Sequence, residues 1–232
     1  MPATFTRPRI DRSAIALTGI IPEGSQLIVD TMPLKIIDFK KAITEGKDGK
    51  HPIMRCTGVF QKADLKNGNG RVYPESILKE AVADMQEAIK NRQVPGEFDH
   101  PPDAKIHLDR ISHVMTRLWM ENKTVYGEIE IFNDARCPLG NMLACYLERG
   151  LNVGVSSRGV GDMELVMREG EDVYEVQDGF KFVTFDVVAE PSVAGTQLKQ
   201  MNESLERRAS KKQLKEAREK LLAREIGRYL LD

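Results

Sequence analysis

Apolar residues recur along this chain with two different periods, and the changes of period mark out its elements. From Ile77 through Leu78, Ala81, Val82 and Met85 to Ile89 they return every three or four positions. That spacing places side chains on one face of a helix. Pro74 stands at the first helical position, where a missing N–H does no harm, so a helix is predicted over residues 74–90. A second helix opens at Pro138. Leu139, Met142, Leu143 and Leu147 share one face of it, and Gly150 suits its C-terminal cap. Elsewhere the period falls to two. Val125, Gly127, Ile129 and Ile131 alternate with Tyr126, Glu128 and Glu130, the pattern of a half-buried antiparallel strand. Residues 111–120 precede it across Glu121-Asn122-Lys123, and the two predict a hairpin. Residues 53–60, 152–157, 174–176 and 180–188 read as further strands. A β-rich order with interspersed helices predicts an α+β fold.

The two ends carry different patterns. Pro2, Pro8, Pro22 and Pro33 break up residues 1–50, which read as an irregular leader. Two short apolar pieces, 14–21 and 34–39, give it some capacity to dock. Lys47-Asp48-Gly49-Lys50 reads as a linker, and the boundary of the main domain is placed near His51. That domain is expected over residues 51–200. In residues 201–232, Leu214, Ala217, Leu221, Leu222, Ile226, Tyr229 and Leu230 form an apolar stripe in a Lys/Arg/Glu-rich background, an amphipathic helix. Docking on its own domain and docking on a partner or scaffold both remain open for it.

Composition narrows the class. The 232 residues are 41% hydrophobic and 30% charged, with a formal net charge of −1, an ordinary globular balance. Nothing in it points to nucleic acid or to a membrane surface. No apolar run approaches the roughly 20 residues that span a bilayer, and Met1-Pro2-Ala3-Thr4 lacks the start of a secretory signal. The three cysteines, Cys56, Cys137 and Cys145, form no CxxC pair, so a reducing compartment is expected rather than a disulfide framework. Cys145, in an apolar helical stretch, reads as core.

Candidate chemistry concentrates in two short segments. Gly96-Glu97-Phe98-Asp99-His100-Pro101-Pro102 carries a histidine, and Gly154-Val155-Ser156-Ser157-Arg158-Gly159 ends an apolar run on two serines. A hydroxyl that attacks a carbonyl needs a base within hydrogen-bond reach, and histidine is the usual one. The segments stand 56 residues apart (156 − 100), so only the fold can join them. Adjacent strand residues face opposite ways, so the pattern does not choose between Ser156 and Ser157. His100, His107 and His113 with Asp99 and Asp103 suggest a metal site, but their spacing matches no standard zinc pattern.

Both segments, in this order, resemble the prohead core protein protease family of tailed bacteriophages. The resemblance continues in Asn67-Gly68-Asn69-Gly70-Arg71-Val72-Tyr73-Pro74, in Val125-Tyr126-Gly127 and in Asp186-Val187-Val188-Ala189-Glu190-Pro191-Ser192, and covers roughly residues 52–197. It implies the fold of the herpesvirus capsid assembly protease, assemblin: a barrel-like antiparallel sheet surrounded by helices. It implies a serine endopeptidase that cleaves phage scaffold and capsid proteins, and itself, inside the assembling prohead in the host cytoplasm. It implies no cofactor, no metal, and no nucleic-acid or membrane partner; a homo-oligomer is left open. The family motif places the nucleophile at Ser156 and the base at His100.

Assemblins orient that base with a second histidine, and none follows Ser156 here. Asp186, flanked by Phe185 and Val187, is the candidate acid. A carboxylate there is costly to bury unpaired, and pairing with His100 would satisfy it, as would a structural ion pair, for example to Lys181. Glu190 is the alternative acid; Asp99 ranks below both. Arg158 and Gly159 are candidates for the substrate site. The family cleaves after glutamate in motifs of the type Leu/Ile-x-Glu, and an arginine can grip a carboxylate with two hydrogen bonds; Lys105 and Arg110 are the other candidate cations. Along the chain the motif occurs at Ile21-Pro22-Glu23, Ile43-Thr44-Glu45, Leu78-Lys79-Glu80 and Leu214-Lys215-Glu216. Glu45 and Glu216, in the flanks, are the expected processing sites. Two rival readings are a non-catalytic scaffold protein that keeps the fold, and a metal-dependent hydrolase built on the histidines.

Overall fold

Three hydrogen-bonded sheets and three helices make up the computed structural model, which describes residues 10–33, 36–42, 53–151 and 153–189. In chain order the elements are α1 (Arg12–Thr18), β1 (Gln26–Pro33), β2 (Ile36–Ala42), β3 (Ile53–Lys62), β4 (Arg71–Val72), α2 (Glu75–Lys90) and β5 (Pro95–Glu97). A 3-10 turn at Leu108–Arg110 leads into β6 (Ile111–Glu121), β7 (Thr124–Ile131), α3 (Pro138–Glu148), β8 (Val153–Gly161), β9 (Met163–Arg168), β10 (Glu171–Val176) and β11 (Lys181–Ala189). The five-stranded sheet runs β2-β3-β7-β6-β5. A second sheet runs β1-β8-β11 and a third β4-β10-β9. All pairings between named strands are antiparallel except β10 with β4. The α+β class follows.

Local chemistry explains the elements that periodicity predicted. α2 turns Ile77, Leu78, Ala81, Val82, Met85 and Ile89 inward, every residue of the predicted stripe. The β6–β7 hairpin closes through Asn122 and Lys123, both with positive φ (46° and 62°). This is the turn geometry whose twist matches paired strands. Strand alternation in β7 is complete, with Val125, Gly127, Ile129 and Ile131 buried. Gly127 is required there, because an added Cβ would sit 2.5 Å from the Phe60 ring. Phe60, Phe180, Phe182 and Phe185 join in one aromatic chain with ring centroids 4.8–5.2 Å apart and form the centre of the core.

Several expectations change. The stretch read as a leader is built into the fold as far as its described residues go. β1 pairs with β8 over eight residues, Gln26 to Pro33, and α1 buries Ile15 against Ala104, Val160 and Val183. Backbone contacts accordingly group the described residues between 10 and 189 in one unit. The prolines misled because Pro22 precedes a turn and Pro33 ends a strand, positions where proline is tolerated. Cys145, expected in the core, is exposed, while Cys56 is buried; the inner face of α3 is set by Gly140, Leu143 and Ala144. Strands β1, β2, β4, β5 and β9 went unpredicted. His51, Glu190 and the amphipathic stripe of residues 201–232 lie outside the described residues.

Candidate active site

β8 is buried at every position, and its two faces differ in kind. Side chains alternate across a strand. Val155 joins the core cluster with Phe182 and Phe185. Ser157 stands on that same face, paired in register with Asp30 and Phe185, and its Oγ donates to the Asp30 carbonyl at 3.3 Å. Gly159 lies there too, and an added Cβ would come 2.4 Å from the Phe180 ring. That packing, rather than a substrate contact, accounts for the glycine. Ser156, Arg158 and Val160 occupy the opposite face. Ser156 sits between Thr31 and Asp186 in register, and the Thr31 hydroxyl lies 3.4 Å from its Oγ.

The His100 segment reaches the same sheet through β11. Phe98 bridges Val187 in parallel, and the Asp99 amide donates to the Val187 carbonyl at 2.8 Å. One edge of β11 thus sets Asp186 opposite Ser156, and the next residue anchors the chain immediately before His100. Asp99 adopts φ 62°, which turns the chain, and its carboxylate accepts the His100 amide at 3.1 Å. The half-buried imidazole has its Nδ1 3.4 Å from the Pro101 carbonyl. No direct hydrogen bond joins His100 to Ser156 among the described residues. Catalytic hydrogen bonds of this kind commonly tighten only around bound substrate.

Asp186 is fully buried, and its carboxylate is paired with Arg158 and a main-chain amide rather than with His100. Oδ1 accepts from Arg158 Nη2 and from the Glu97 amide, both at 3.0 Å. Arg158 Nε lies 2.7 Å from Oδ2 as an ion-pair contact. The reason is positional: Arg158 is two residues along β8 from the register partner of Asp186, on the same face. Lys181 is turned elsewhere, to Glu80 and Asp84. Burial pushes the Asp186 carboxyl up to about 6, against the pull of Arg158 and the Glu97 amide. Arg158 itself has no exposed surface and is engaged by Glu97, Asp186 and the carbonyls of Asp103 and Lys105. It therefore has no free edge with which to grip a substrate carboxylate. Lys105 is exposed, and the partly exposed Arg110 stands 3.7 Å from Glu97 Oε2 and 4.0 Å from Asp99.

The remaining histidines separate in role. Buried His113 has Nδ1 2.9 Å from Ser112 Oγ and Nε2 3.0 Å from the Phe185 carbonyl. Burial pushes it down to about 4, so it stays neutral. Ser112 and His113 are both buried, and the imidazole ties the Ser112 hydroxyl on β6 to the main chain of β11. His107 stands 3.6 Å from Glu97 and 3.8 Å from Asp103. Among the described residues no cluster of three or more His, Cys, Asp or Glu side chains is placed to hold a metal ion.

Behind the site, the Asn67–Pro74 motif acts on β1. Buried Asp30 receives Arg71 Nη1 at 2.7 Å, Asn69 Nδ2 at 2.5 Å and the Tyr73 hydroxyl. Sequence reading found the motif but not Asp30, because its partners lie about forty positions away. Glu97 was missed for a similar reason: its fully buried carboxylate sits inside the histidine motif and is explained only by Arg158 across the sheet.

The chain is similar to known phage proteases. A family model for the prohead core protein serine protease matches residues 16–206. The prohead core protein protease of Enterobacteria phage T4 is 34% identical over 174 residues, covering 72% of this chain and 80% of that protein. The solved structure of the bacteriophage T4 capsid assembly protease superposes with a TM-score of 0.63 at 28% identity, over 72% of this chain and 99% of that one. The match starts inside α1 and runs through both the histidine and the serine segments, and on that span the chain belongs to the prohead core protein serine protease family.

Proposed function

We propose that this protein is an endopeptidase of phage prohead maturation that works through an acyl-enzyme. Ser156 Oγ attacks the scissile carbonyl. His100 takes its proton and returns it to the leaving amine. The observation that carries this reading is the convergence on β11, where Asp186 stands opposite Ser156 and Val187 anchors Asp99, the residue before His100. Ser157 is disfavoured as nucleophile because its hydroxyl faces the aromatic core side of β8. Asp186 supports the pair indirectly, through Arg158 and the Glu97 amide, rather than by accepting from the imidazole.

The same reading extends to fold and substrate. The Phe98–Val187 bridge and the two-residue junction between β1 and β2 favour closure of the two larger sheets into an assemblin-like barrel. The substrates are scaffold and capsid proteins inside the prohead, and the chain itself, cut after glutamate in Leu/Ile-x-Glu motifs. With Arg158 occupied, Lys105 and Arg110 are the candidate readers of that glutamate. Glu45 and Glu216 are the proposed processing sites; both lie outside the described residues.

Mass spectrometry of self-cleavage tests the reading. Ser156→Ala abolishes cleavage, since loss of a triad nucleophile costs on the order of a millionfold in kcat, while Ser157→Ala leaves a measurable rate. EDTA leaves activity unchanged. An inactive Ser157→Ala beside an active Ser156→Ala moves the nucleophile by one residue. Loss of activity in EDTA that zinc restores replaces the mechanism altogether.

A further inference from the structure

The segment that carries His100, residues 98–107, lies between β5 and the 3-10 turn and contains no helix or ladder strand of its own. Something other than regular secondary structure must fix the imidazole, because a displacement of about 1 Å can lower a rate by roughly 10². Main-chain bonds hold the segment at Asp99, to the Val187 carbonyl, and at Ile106, to the Ala16 carbonyl; the side-chain contacts between these points converge on one residue. Arg158 Nη1 donates to the carbonyls of Asp103 at 3.2 Å and Lys105 at 2.8 Å, both downstream of His100. Its Nη2 donates to Glu97 Oε1 at 3.0 Å, upstream of His100, and to Asp186 Oδ1 at 3.0 Å. Glu97 closes the loop on itself: the same Oε1 accepts the His107 amide at 2.8 Å, while the Glu97 amide donates to Asp186. Residues 97, 103, 105 and 107 are thereby tied, directly or through Glu97, to a guanidinium two positions from Ser156 on the same strand face.

Arg158, Glu97 and Asp186 are all completely buried. Buried ionic clusters are a poor source of stability, since well-packed apolar side chains of similar volume often do as well or better. What such a cluster supplies is direction. The planar fork of arginine addresses several acceptors at fixed angles, which an ammonium or an apolar side chain cannot do.

We propose that Arg158 is a positioning residue, the clamp that holds the His100 segment in register with the strand bearing Ser156, with Glu97 and Asp186 as its two anchors. The proposal rests on the reading of Ser156 and His100 as the reacting pair. It accounts for the arginine in the serine motif and the glutamate in the histidine motif together, as the two halves of one contact.

The test uses the full chain and three readouts: kcat and KM on a peptide containing a Leu-x-Glu sequence, amide hydrogen exchange, and thermal unfolding. Arg158→Lys keeps the charge but loses the fork. It is expected to lower kcat about 10²-fold with KM hardly changed, and to speed exchange across residues 99–107 while the β6–β7 hairpin keeps its protection. Arg158→Met falls further, so that the lysine variant counts as partial rescue. If neither variant folds, Glu97→Gln, which keeps an acceptor for the His107 amide and removes only the charge, is expected to show the same split in milder form. A folded Arg158→Lys with the parent kcat and unchanged exchange at 99–107 overturns the proposal. So does a loss that appears in KM alone, or one matched by an equal loss of protection everywhere. Ser156→Ala and His100→Ala run in parallel. Activity surviving in either sinks the underlying reading and the proposal with it, whereas two dead controls beside a fully active Arg158→Lys sink the clamp alone.

Discussion

Buried His113 and buried Asp186 respond to acid with opposite signs. The folded chain holds His113 down to about 4 by burial, whereas an unfolded histidine titrates near 6.5. As pH falls below about 6.5 the unfolded state gains a proton that the folded state refuses, so stability drops progressively until about pH 4, by an amount on the order of 3 kcal/mol. Asp186 runs the other way. Its folded value is raised to about 6 against an unfolded value near 3.9, so the folded state gains the proton first and this contribution to stability rises as pH falls from about 6 to 4. Thermal unfolding followed from pH 7 to 4 separates the two. His113→Gln, if folded, is expected to flatten the acid loss, and Asp186→Asn to steepen it. Equal slopes in all three proteins would contradict both assignments.

At the scale of elements, the irregular Asn67–Pro74 motif matters through β1. Asp30 is buried within β1, and Arg71 on β4 is its charged partner, with side chains almost fully enclosed on both sides. Tyr73 adds a hydroxyl, and burial beside Asp30 pushes its own titration well above the usual tyrosine range. Removing one partner of a buried pair leaves an uncompensated charge. Arg71→Met is therefore expected to destabilise the fold by about 3–5 kcal/mol, against about 1–3 kcal/mol for Tyr73→Phe. Denaturant unfolding reads both. The same pairing gives a strand with a charged residue at its centre a place beside β8, where apolar pattern alone would not have put it.

At the scale of the molecule, the position of β1 changes what N-terminal processing can achieve. A cut after Glu45 falls in the connection between β2 and β3, downstream of a strand that is hydrogen-bonded to β8 along eight residues and carries buried Ile28 and Asp30. Cleavage there severs the chain without releasing the fragment. Residues 1–45 are expected to co-elute with the rest in native size-exclusion chromatography and to separate only in denaturant. A processed enzyme that elutes without the fragment and remains active would show that β1 is dispensable to the site.

How much of this was legible beforehand depends on the range of the interaction. The α2 stripe, the alternation of β7 and the Asn122-Lys123 turn are local, and the chain alone determined them because side-chain periodicity and turn dihedrals are set by near neighbours. The motifs around His100 and Ser156 were legible for the same reason, as was their family. Tertiary structure alone decided what those motifs touch. The register of β11 against β8 gives Asp186 to Arg158 instead of His100. Phe180 claims the space beside Gly159, and β1 joins the sheet although prolines made its surroundings read as a leader. Each outcome depends on which distant strand lies alongside, and a buried charge takes the partner that strand pairing brings within reach.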